Sequence, residues 1–273
     1  MQFVQGERTM RRFLVAAMIV CAPGVANALN TWGTDMSDLW WNPNESGWGI
    51  NIAHQREVIF ATFFVYGADN KTRWYVAPDM IGPSSGDASS YTFSGNLYET
   101  NGPFLGGPFN PTQVSNVQVG TATLVFSQAN RGTLDYSVGT SVVSKVIERQ
   151  TFRRAEIRGT YAGAILGTTS GCGAAVDHLA NGIFAVTLNP LPSNSITISS
   201  TLENGAQCNY SGNYEQQGRL GTIAGTFSCG GNVPTAGTFN AFEIEAGNGA
   251  LVIRYEARYE SCVERGRIGG LKP

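Results

Sequence analysis

The residues best suited to chemistry in this chain lie in one short segment, residues 39–52, which reads LWWNPNESGWGINI. Its three tryptophans can stack on a sugar ring or a peptide, and the asparagine, glutamate and serine between them can orient a polar ligand. Further aromatic residues downstream could extend such a surface. The candidate ligand-binding residues are Trp40, Trp41, Asn42, Glu45, Ser46, Trp48, Tyr66 and Trp74.

The same tryptophans have a second interpretation, as a plug that fills the end of a β-barrel. Trp40 and Trp41 are adjacent, so in an extended segment one side chain faces inward and the other outward. If Trp48 points inward, alternation sends Ile50 and Ile52 to the same face. Because tryptophan is largely buried in most proteins, we expect plugging to be the main role and recognition to be secondary.

A hydrolase of the glycosidase type would need a carboxyl group whose pKa is raised enough for it to act as a general acid. Glu45 stands among tryptophans, which could raise its pKa towards the range of a general acid. A glycosidase also needs a second carboxylate, for which Asp35, Asp38 and Glu99 are the candidates. The simpler expectation is that Glu45 caps a turn by accepting backbone N–H hydrogen bonds.

The two histidines do not predict catalysis. His54 follows a strand and is interpreted as a solvated turn residue. His178 could be a base oriented by Asp177, but no Gly-x-Ser-x-Gly or other nucleophile motif accompanies it. We therefore predict no catalytic residue and no cofactor.

Residues 1–28 have the form of a secretory signal peptide. Arg11 and Arg12 precede an apolar run over residues 13–25 that is too short to span a bilayer, and Ala26-Asn27-Ala28 supplies the small-x-small cleavage pattern. The mature chain is expected to begin after Ala28, to reach the periplasm or the exterior, and to contain no transmembrane segment.

The charge of the expected mature chain excludes some partners. The whole chain has 18 basic and 20 acidic residues; without the one acidic and three basic residues of the signal peptide, 15 and 19 remain, a net charge of −4. Mild acidity without a basic run argues against nucleic acid as a partner.

The four cysteines beyond residue 28 predict two disulfides formed in an oxidising compartment. If Gly218-Arg219 is a two-residue hairpin turn, Cys208 and Cys229 face each other across the hairpin, which leaves Cys172 to pair with Cys262. No metal site is predicted, because Cys-x-x-Cys spacing is absent and the chain has only 2 histidines.

Short β-branched and aromatic runs separated by turn residues predict an all-β protein. Asn-Gly pairs at 181–182, 204–205 and 248–249 are strong hairpin signals. We predict two antiparallel β-barrels or barrel-like meanders, over residues 29–155 and 156–273, with a single large β-sandwich as the alternative. The predicted strands lie at 48–54, 57–66, 72–77, 90–99, 114–127, 132–138 and 141–152, and then at 160–166, 173–179, 183–188, 195–202, 206–215, 220–228, 237–245 and 250–262.

Residues 41–49 (WNPNESGWG), 60–69 (FATFFVYGAD) and 74–78 (WYVAP) resemble a domain of many secreted proteobacterial proteins, with the signature W-x-N-P-x-E-S-G-x-G. The resemblance extends over residues 30–152 and includes closing strands at 120–126 and 145–152. It implies a secreted β domain, often joined to other modules, and no particular activity. The second half is similar only in a general way to calycins, which transfers no function.

Taken together, these patterns favour an exported, non-enzymatic binding protein that recognises a glycan or a peptide through the tryptophan-rich surface of its first domain. The alternative is a structural or assembly component of the cell envelope without a small ligand. A hydrolase that uses Glu45 or His178 is the third and least favoured hypothesis.

Overall fold

The computed structural model describes residues 34–83, 90–173, 175–190, 193–230 and 235–273. The expected signal peptide lies outside these residues. The described strands form two closed eight-stranded antiparallel barrels, and the residues of both barrels belong to one compact unit. The all-β prediction and the prediction of two antiparallel barrels are therefore confirmed.

In the first barrel each strand pairs with the next, and the last strand pairs with the first to close the ring. A 3-10 turn, Pro111–Gln113, lies in the loop between the fifth and sixth strands. The strands are β1 (Asp38–Trp41), β2 (Gly49–Gln55), β3 (Val58–Tyr66), β4 (Thr72–Ile81), β5 (Tyr91–Asn101), β6 (Ser115–Gln128), β7 (Arg131–Val138) and β8 (Ser141–Arg149).

Alternation along β2 shows how the first barrel builds its core. Ile50 and Ile52 are buried at 0% and 2% exposure, whereas Asn51 between them is exposed. Trp48 lies partly buried against this core, as the alternation predicts. Inward side chains of the other strands complete an aromatic and aliphatic interior, with Phe63, Phe93 and Phe126 at or below 1% exposure among the largest.

β1 was not predicted from the sequence, yet the barrel needs this strand to close. In β1, Trp40 pairs with Ile50 on one side and with Arg149 on the other. β1 has only four residues, so it offers too few positions for its alternating pattern to be distinguished from a loop.

The second barrel has the same up-and-down order and is closed by pairing of its last strand with its first. Its strands are β9 (Gly159–Ser170), β10 (Val176–Leu188), β11 (Ser195–Leu202), β12 (Gln207–Gln217), β13 (Leu220–Gly230), β14 (Thr235–Gly247), β15 (Ala250–Tyr259) and β16 (Cys262–Leu271).

Two strand predictions in this half were wrong. Asn181-Gly182 is not a turn but lies inside β10, where Gly182 pairs with Gly163 and with Leu202. Conversely, the single strand predicted over 250–262 is two strands, because the chain turns at Glu260-Ser261 and returns as β16. The two errors compensate, so the predicted number of eight strands was correct for the wrong reason.

Both predicted disulfides are present. Gln217 pairs with Leu220 across the turn, and the same register places Cys208 opposite Cys229, with a Cα–Cα distance of 4.0 Å. Cys172 and Cys262 form the second disulfide, with a Cα–Cα distance of 4.8 Å. Such disulfides are typical of proteins that mature in an oxidising compartment outside the cytoplasm.

The connection between the barrels, residues 150–158, contains no strand and is called the inter-barrel linker below. The domain boundary expected after Ala155 falls within it. The tip of the β12–β13 hairpin contacts the first barrel: the Arg219 guanidinium donates to Asp35 Oδ2 at 2.6 Å, and the Arg219 backbone N–H donates to Asp38 Oδ2 at 3.1 Å.

Candidate functional site

Trp40 is part of the core of the first barrel. Its side chain has 0% exposure, and its indole N–H donates to the carbonyl oxygen of Met36 at 2.9 Å. The ring centroid lies 4.9 Å from that of Phe126, and the guanidinium carbon of Arg149 lies 4.8 Å from the Trp40 centroid. Trp40 therefore fills the barrel interior and has no surface to offer a ligand, which corrects its inclusion among the candidate binding residues.

The segment after β1 makes a tight turn. The carbonyl oxygen of Asn42 accepts from the backbone N–H of Glu45 at 3.0 Å, and Asn42 Oδ1 accepts from the backbone N–H of Asn44 at 2.9 Å. Gly47 follows with φ +118°, a conformation that side-chain-bearing residues rarely adopt. The turn leaves Ser46 exposed and leads the chain directly into β2.

Glu45 forms a bridge rather than a backbone cap. Its carboxylate accepts from the indole N–H of Trp48 at 3.2 Å, and Lys145 Nζ lies 2.9 Å from both carboxylate oxygens. The hydrogen bond from Lys145 is the main reason why the pKa of Glu45 is lowered. The expectation of a raised pKa was therefore wrong, because Lys145 of β8 is 100 residues away and its approach is invisible in the local sequence.

Phe64, Tyr66 and Trp74 form an aromatic stripe on the outer face of β3 and β4. Phe64 pairs directly with Trp74, while Tyr66 pairs with Thr72 one step towards the turn. Tyr66 and Trp74 are each 55% exposed. They are diagonal neighbours on one face of the sheet, at a separation that large aromatic side chains can span.

Gly49 of the preceding segment makes room for this stripe, and Gly47 lies beside it. A Cβ on Gly49 would stand 2.5 Å from the ring of Phe64, so the ring packs directly against the β2 backbone. A Cβ on Gly47 would lie 3.6 Å from the hydroxyl oxygen of Tyr66. Gly49 thus lets the signature segment and the stripe pack closely together.

A shallow pocket of about 300 Å³ accompanies the stripe. Arg73 provides a charged edge, since its guanidinium donates to Asp69 at 2.9 Å and lies 4.0 Å from Glu99. The pocket combines exposed aromatic faces with polar groups at the rim. It is lined by Gly47, Phe64, Val65, Tyr66, Thr72, Arg73 and Trp74.

Trp41 belongs to a different surface. It lines a cleft of about 830 Å³ between the two barrels, together with the inter-barrel linker and the strand end 213–217 of β12. The structure therefore does not bring the predicted residues into one site. Trp40 is in the core, Trp48 is partly buried beside Glu45, Trp41 faces the cleft, and Tyr66 with Trp74 forms the exposed stripe.

His54 is not a solvated turn residue, as the sequence suggested. It is half-buried, its Nδ1 accepts from the backbone N–H of Met36 at 3.2 Å, and its Nε2 donates to the carbonyl oxygen of Arg56 at 2.6 Å. Its ring also meets Phe93 edge-on, with centroids 5.2 Å apart. His54 therefore anchors the segment before β1 against the barrel.

His178 faces the interior of the second barrel, away from Asp177. Asp177 points outward and accepts from the hydroxyl of Thr168 at 2.6 Å, so it does not orient the imidazole. Instead, His178 Nε2 lies 3.3 Å from Glu264 Oε1. Sequence reasoning missed this partner because Glu264 belongs to β16, the strand that had not been predicted.

Tyr255 completes this polar cluster at the end of the second barrel. Its hydroxyl donates to Glu264, and Gly167 and Gly266 leave room for it, since a Cβ on either would come within 3.0 Å of the hydroxyl oxygen. Burial, reinforced by the charge of Glu264, raises the pKa of Tyr255, so the phenol stays protonated. The cluster satisfies buried polar groups and brings no nucleophile to His178 among the described residues.

A separate apolar surface lies on the loop between β5 and β6. Phe104 and Leu105 are 84% and 80% exposed, and Phe109 is 53% exposed. Residues 100–130 contain no charged side chain. Exposed apolar patches of this kind commonly mark contacts with other molecules.

Within the described ranges, no group of three or more histidine, cysteine, aspartate or glutamate side chains is arranged to hold a metal ion. The part of the chain that the structure describes also has no helix long and apolar enough to cross a membrane.

No family model and no curated protein matches this chain. It is similar to the solved structure of isotype 1 transferrin-binding protein B from serogroup B Neisseria meningitidis, with 10% identity, a TM-score of 0.34, and coverage of 83% of this chain and 52% of that one. It is also similar to a point mutant of the vaccine antigen transferrin-binding protein B from Haemophilus parasuis Hp5, with 11% identity, a TM-score of 0.31, and coverage of 82% and 53%.

This chain thus spans about half the length of the two solved chains. The similarities establish neither a common family nor a shared ligand. The resemblance of residues 30–152 to a secreted proteobacterial domain stays a prediction.

Proposed function

We propose that this protein is an exported, non-enzymatic binding protein whose aromatic stripe receives a carbohydrate. One observation carries the proposal: Tyr66 and Trp74 each keep more than half of their surface exposed, side by side on a rigid barrel wall and next to a pocket. A folded protein gains nothing in stability from leaving two large aromatic faces in water, so their exposure is better explained by a ligand.

The chemistry of the pocket fits a sugar ring. The C–H face of a pyranose packs on an aromatic ring, while its hydroxyls need donors and acceptors at the edge. Thr72 and Arg73 line the same pocket as Tyr66 and Trp74. The exposed hydroxyl of Ser46 lies on the turn beside Gly47 and adds a further polar group to this side of the barrel.

A peptide is the less suitable ligand class for this surface. Extended peptides commonly bind by adding a strand to an open sheet edge. Both barrels are closed, so the described sheets present no such edge. A peptide would therefore depend on side-chain contacts alone at a shallow pocket.

Export and the absence of catalysis are the other two parts of the proposal. The two disulfides support maturation outside the cytoplasm. Among the groups considered for hydrolysis, Glu45 is held ionised by Lys145, so it is a poor proton donor at neutral pH. His178 faces a carboxylate and a phenol rather than a nucleophile.

The proposal is tested by replacing the aromatic residues one at a time. Trp74→Ala and Tyr66→Ala remove ring faces that a sugar would cover, so each should weaken binding about tenfold or more, which corresponds to about 1.4 kcal/mol. A glycan array with the full mature protein would find the ligand, and isothermal titration with that glycan would measure the affinity.

Phe60→Ala is the matched control, because Phe60 is an exposed aromatic residue of the same strand that does not line the pocket. It should leave the affinity unchanged, and none of the three variants should shift the unfolding midpoint much. An array without any binder, or equal loss of affinity in all three variants, would contradict the proposed function.

A further inference from the structure

A second site is suggested by two cavities that meet at the inter-barrel linker. The first is the cleft of about 830 Å³ that contains Trp41, and the second is a pocket of about 540 Å³. Arg153, Arg154 and Gln216 line both cavities, so the two lie against the same stretch of linker. Sites between two domains are common places for ligands.

The smaller cavity, called the cationic pocket here, contains basic side chains that no carboxylate neutralises directly. Arg153 and Arg154 are exposed and form no ion pair within the described residues. Lys272 also lines the pocket and makes no direct salt bridge there; its ammonium lies 5.4 Å from the ring centroid of Tyr161. Four basic side chains therefore line one cavity, and three of them, all but Arg219, make no direct ion pair within the described residues.

The acidic residues of the cationic pocket are already engaged by other arginines. Glu156 accepts from the Arg158 guanidinium at 2.5 and 2.8 Å. Glu245 is held by Arg219 at 3.1 and 3.2 Å. Since both carboxylates are paired, the pocket has a surplus of positive charge that an anionic ligand would neutralise.

The larger cleft has a different character. Trp41, Phe152 and Tyr214 line it, and Phe152 is 74% exposed. Asn194 and Asn213 add amide groups for hydrogen bonding. Two carboxylates, Glu148 and Glu215, also line the cleft, so its lining carries less positive charge than that of the cationic pocket. The cleft thus suits the uncharged part of a ligand.

We propose that these cavities form a binding site for an acidic saccharide, distinct from the aromatic stripe. Its anionic group, a carboxylate or a sulfate, is held in the cationic pocket by Arg153, Arg154 and Lys272. Neighbouring sugar rings lie in the cleft against Trp41 and Phe152. Arginine suits this role because its planar guanidinium binds such oxyanions through two parallel hydrogen bonds.

The test uses the full mature protein and two pairs of probes. An oligogalacturonate and its methyl ester differ in the carboxylate charge and the added methyl groups, and dextran sulfate and dextran differ only in sulfate. Titration calorimetry should show binding of at least one anionic probe and at least tenfold weaker binding of its neutral counterpart. The affinity should also fall when salt rises from about 0.02 M to about 0.15 M, because salt screens these exposed charges.

The double variant Arg153→Gln/Arg154→Gln should weaken binding of the anionic probe at least tenfold, and Lys272→Gln should weaken it less. The control Arg56→Gln/Arg267→Gln removes the same charge from two exposed arginines that line neither cavity, so it should bind normally. A response to only one of the two anionic probes would identify the carboxylate or the sulfate as the group recognised.

The proposal would be overturned if no anionic probe binds, if the neutral probes bind equally well, or if the arginine double variant keeps its affinity. This outcome is separable from failure of the proposed function, because Trp74→Ala leaves both cavities intact. A protein that loses glycan binding with Trp74→Ala but still binds the acidic probe retains the second site.

Discussion

Arg149 shows how a barrel filled with apolar side chains can hold one guanidinium. It is 1% exposed, and its N–H groups donate to the carbonyl oxygens of Ala129 and Asp35, both at 2.6 Å, and to Asp38 Oδ2 at 3.2 Å. Burial lowers the pKa of Arg149 to about 10, although Asp38 opposes the shift. The side chain therefore stays protonated at neutral pH and depends on Asp38 as its counter-ion.

Removing the carboxylate charge tests this dependence. Asp38→Asn should lower the free energy of unfolding by about 3 kcal/mol, because it leaves a buried cation without its ionic partner. The variant also weakens the contact with the Arg219 backbone N–H. Urea unfolding followed by circular dichroism measures the change.

Asp79→Asn is the control, because Asp79 is an exposed aspartate without a described ion pair. It should change the free energy of unfolding by less than about 0.5 kcal/mol. A loss below about 1 kcal/mol in Asp38→Asn would mean that the carbonyl oxygens alone suffice to hold Arg149.

At the scale of the strands, two identical Asn-Gly pairs adopt different backbone structures. Asn248-Gly249 has positive φ at both residues, 51° and 79°, and forms the β14–β15 turn. Asn181-Gly182 instead continues β10, where a Cβ on Gly182 would stand 2.6 Å from the carbonyl oxygen of Thr201. The second glycine is needed for a close approach of strands, a requirement that local sequence does not reveal.

The two disulfides constrain the elements to different degrees. Cys208–Cys229 spans 21 residues within one hairpin, whereas Cys172–Cys262 spans 90 residues and joins β16 to the end of β9. In the chain-entropy model the longer loop stabilises more, by about 1 kcal/mol. Cys172→Ser/Cys262→Ser should therefore lower the free energy of unfolding more than Cys208→Ser/Cys229→Ser does.

The comparison is well matched, because one cysteine of each pair is buried and the other is more exposed. Urea unfolding of the two double variants, alongside the oxidised wild type, gives the order. An equal or reversed order would show that structure retained in the unfolded chain, rather than loop length, governs the effect.

At the scale of the whole molecule, ionised carboxylates join the two barrels. Burial raises the pKa of Asp35, but hydrogen bonds from Ser37 and the charge of Arg219 outweigh it, so the pKa is lowered overall. In the linker, hydrogen bonds from Arg158 lower the pKa of Glu156 to about 2. Both groups are partly exposed, so solvent screening limits what each contributes.

These shifts predict how stability depends on pH. Their folded pKa values lie below the unfolded values of about 4, so the stability that they contribute is present above about pH 4 and is lost as the pH falls through the folded values. The contribution of these two carboxylates to the free energy of unfolding should therefore change little between pH 7 and pH 5. It should decrease below about pH 4. Urea unfolding at a series of pH values measures this.

Asp35→Asn should flatten the acid side of that profile, because the amide cannot titrate. A profile unchanged by this substitution would mean that Asp35 has the same proton affinity in the folded and unfolded chain, and that its contact with Arg219 adds no stability.

Much of the fold could be predicted from local patterns. Alternation in β2 placed Ile50 and Ile52 inward, and the Gly218-Arg219 turn set a register that brought Cys208 opposite Cys229. Both inferences use only the two-residue period of a strand and a tight turn. The candidate site was predicted less well. Residue type indicated that the tryptophans could bind a ligand, but it did not indicate which of them would be buried in the barrel.

Sequence alone determined the all-β class, the two barrels and the disulfide pairs, because these follow from periodicity and turn chemistry within short stretches. Tertiary structure decided which charged residues Glu45 and His178 contact. It also placed Trp40, Trp41 and Trp74 in three different environments: the core, the cleft and the exposed stripe. Each of these features depends on which distant strand lies alongside when the barrel closes. Closure brings together residues that are far apart in the chain, such as Glu45 and Lys145, which are separated by 100 residues.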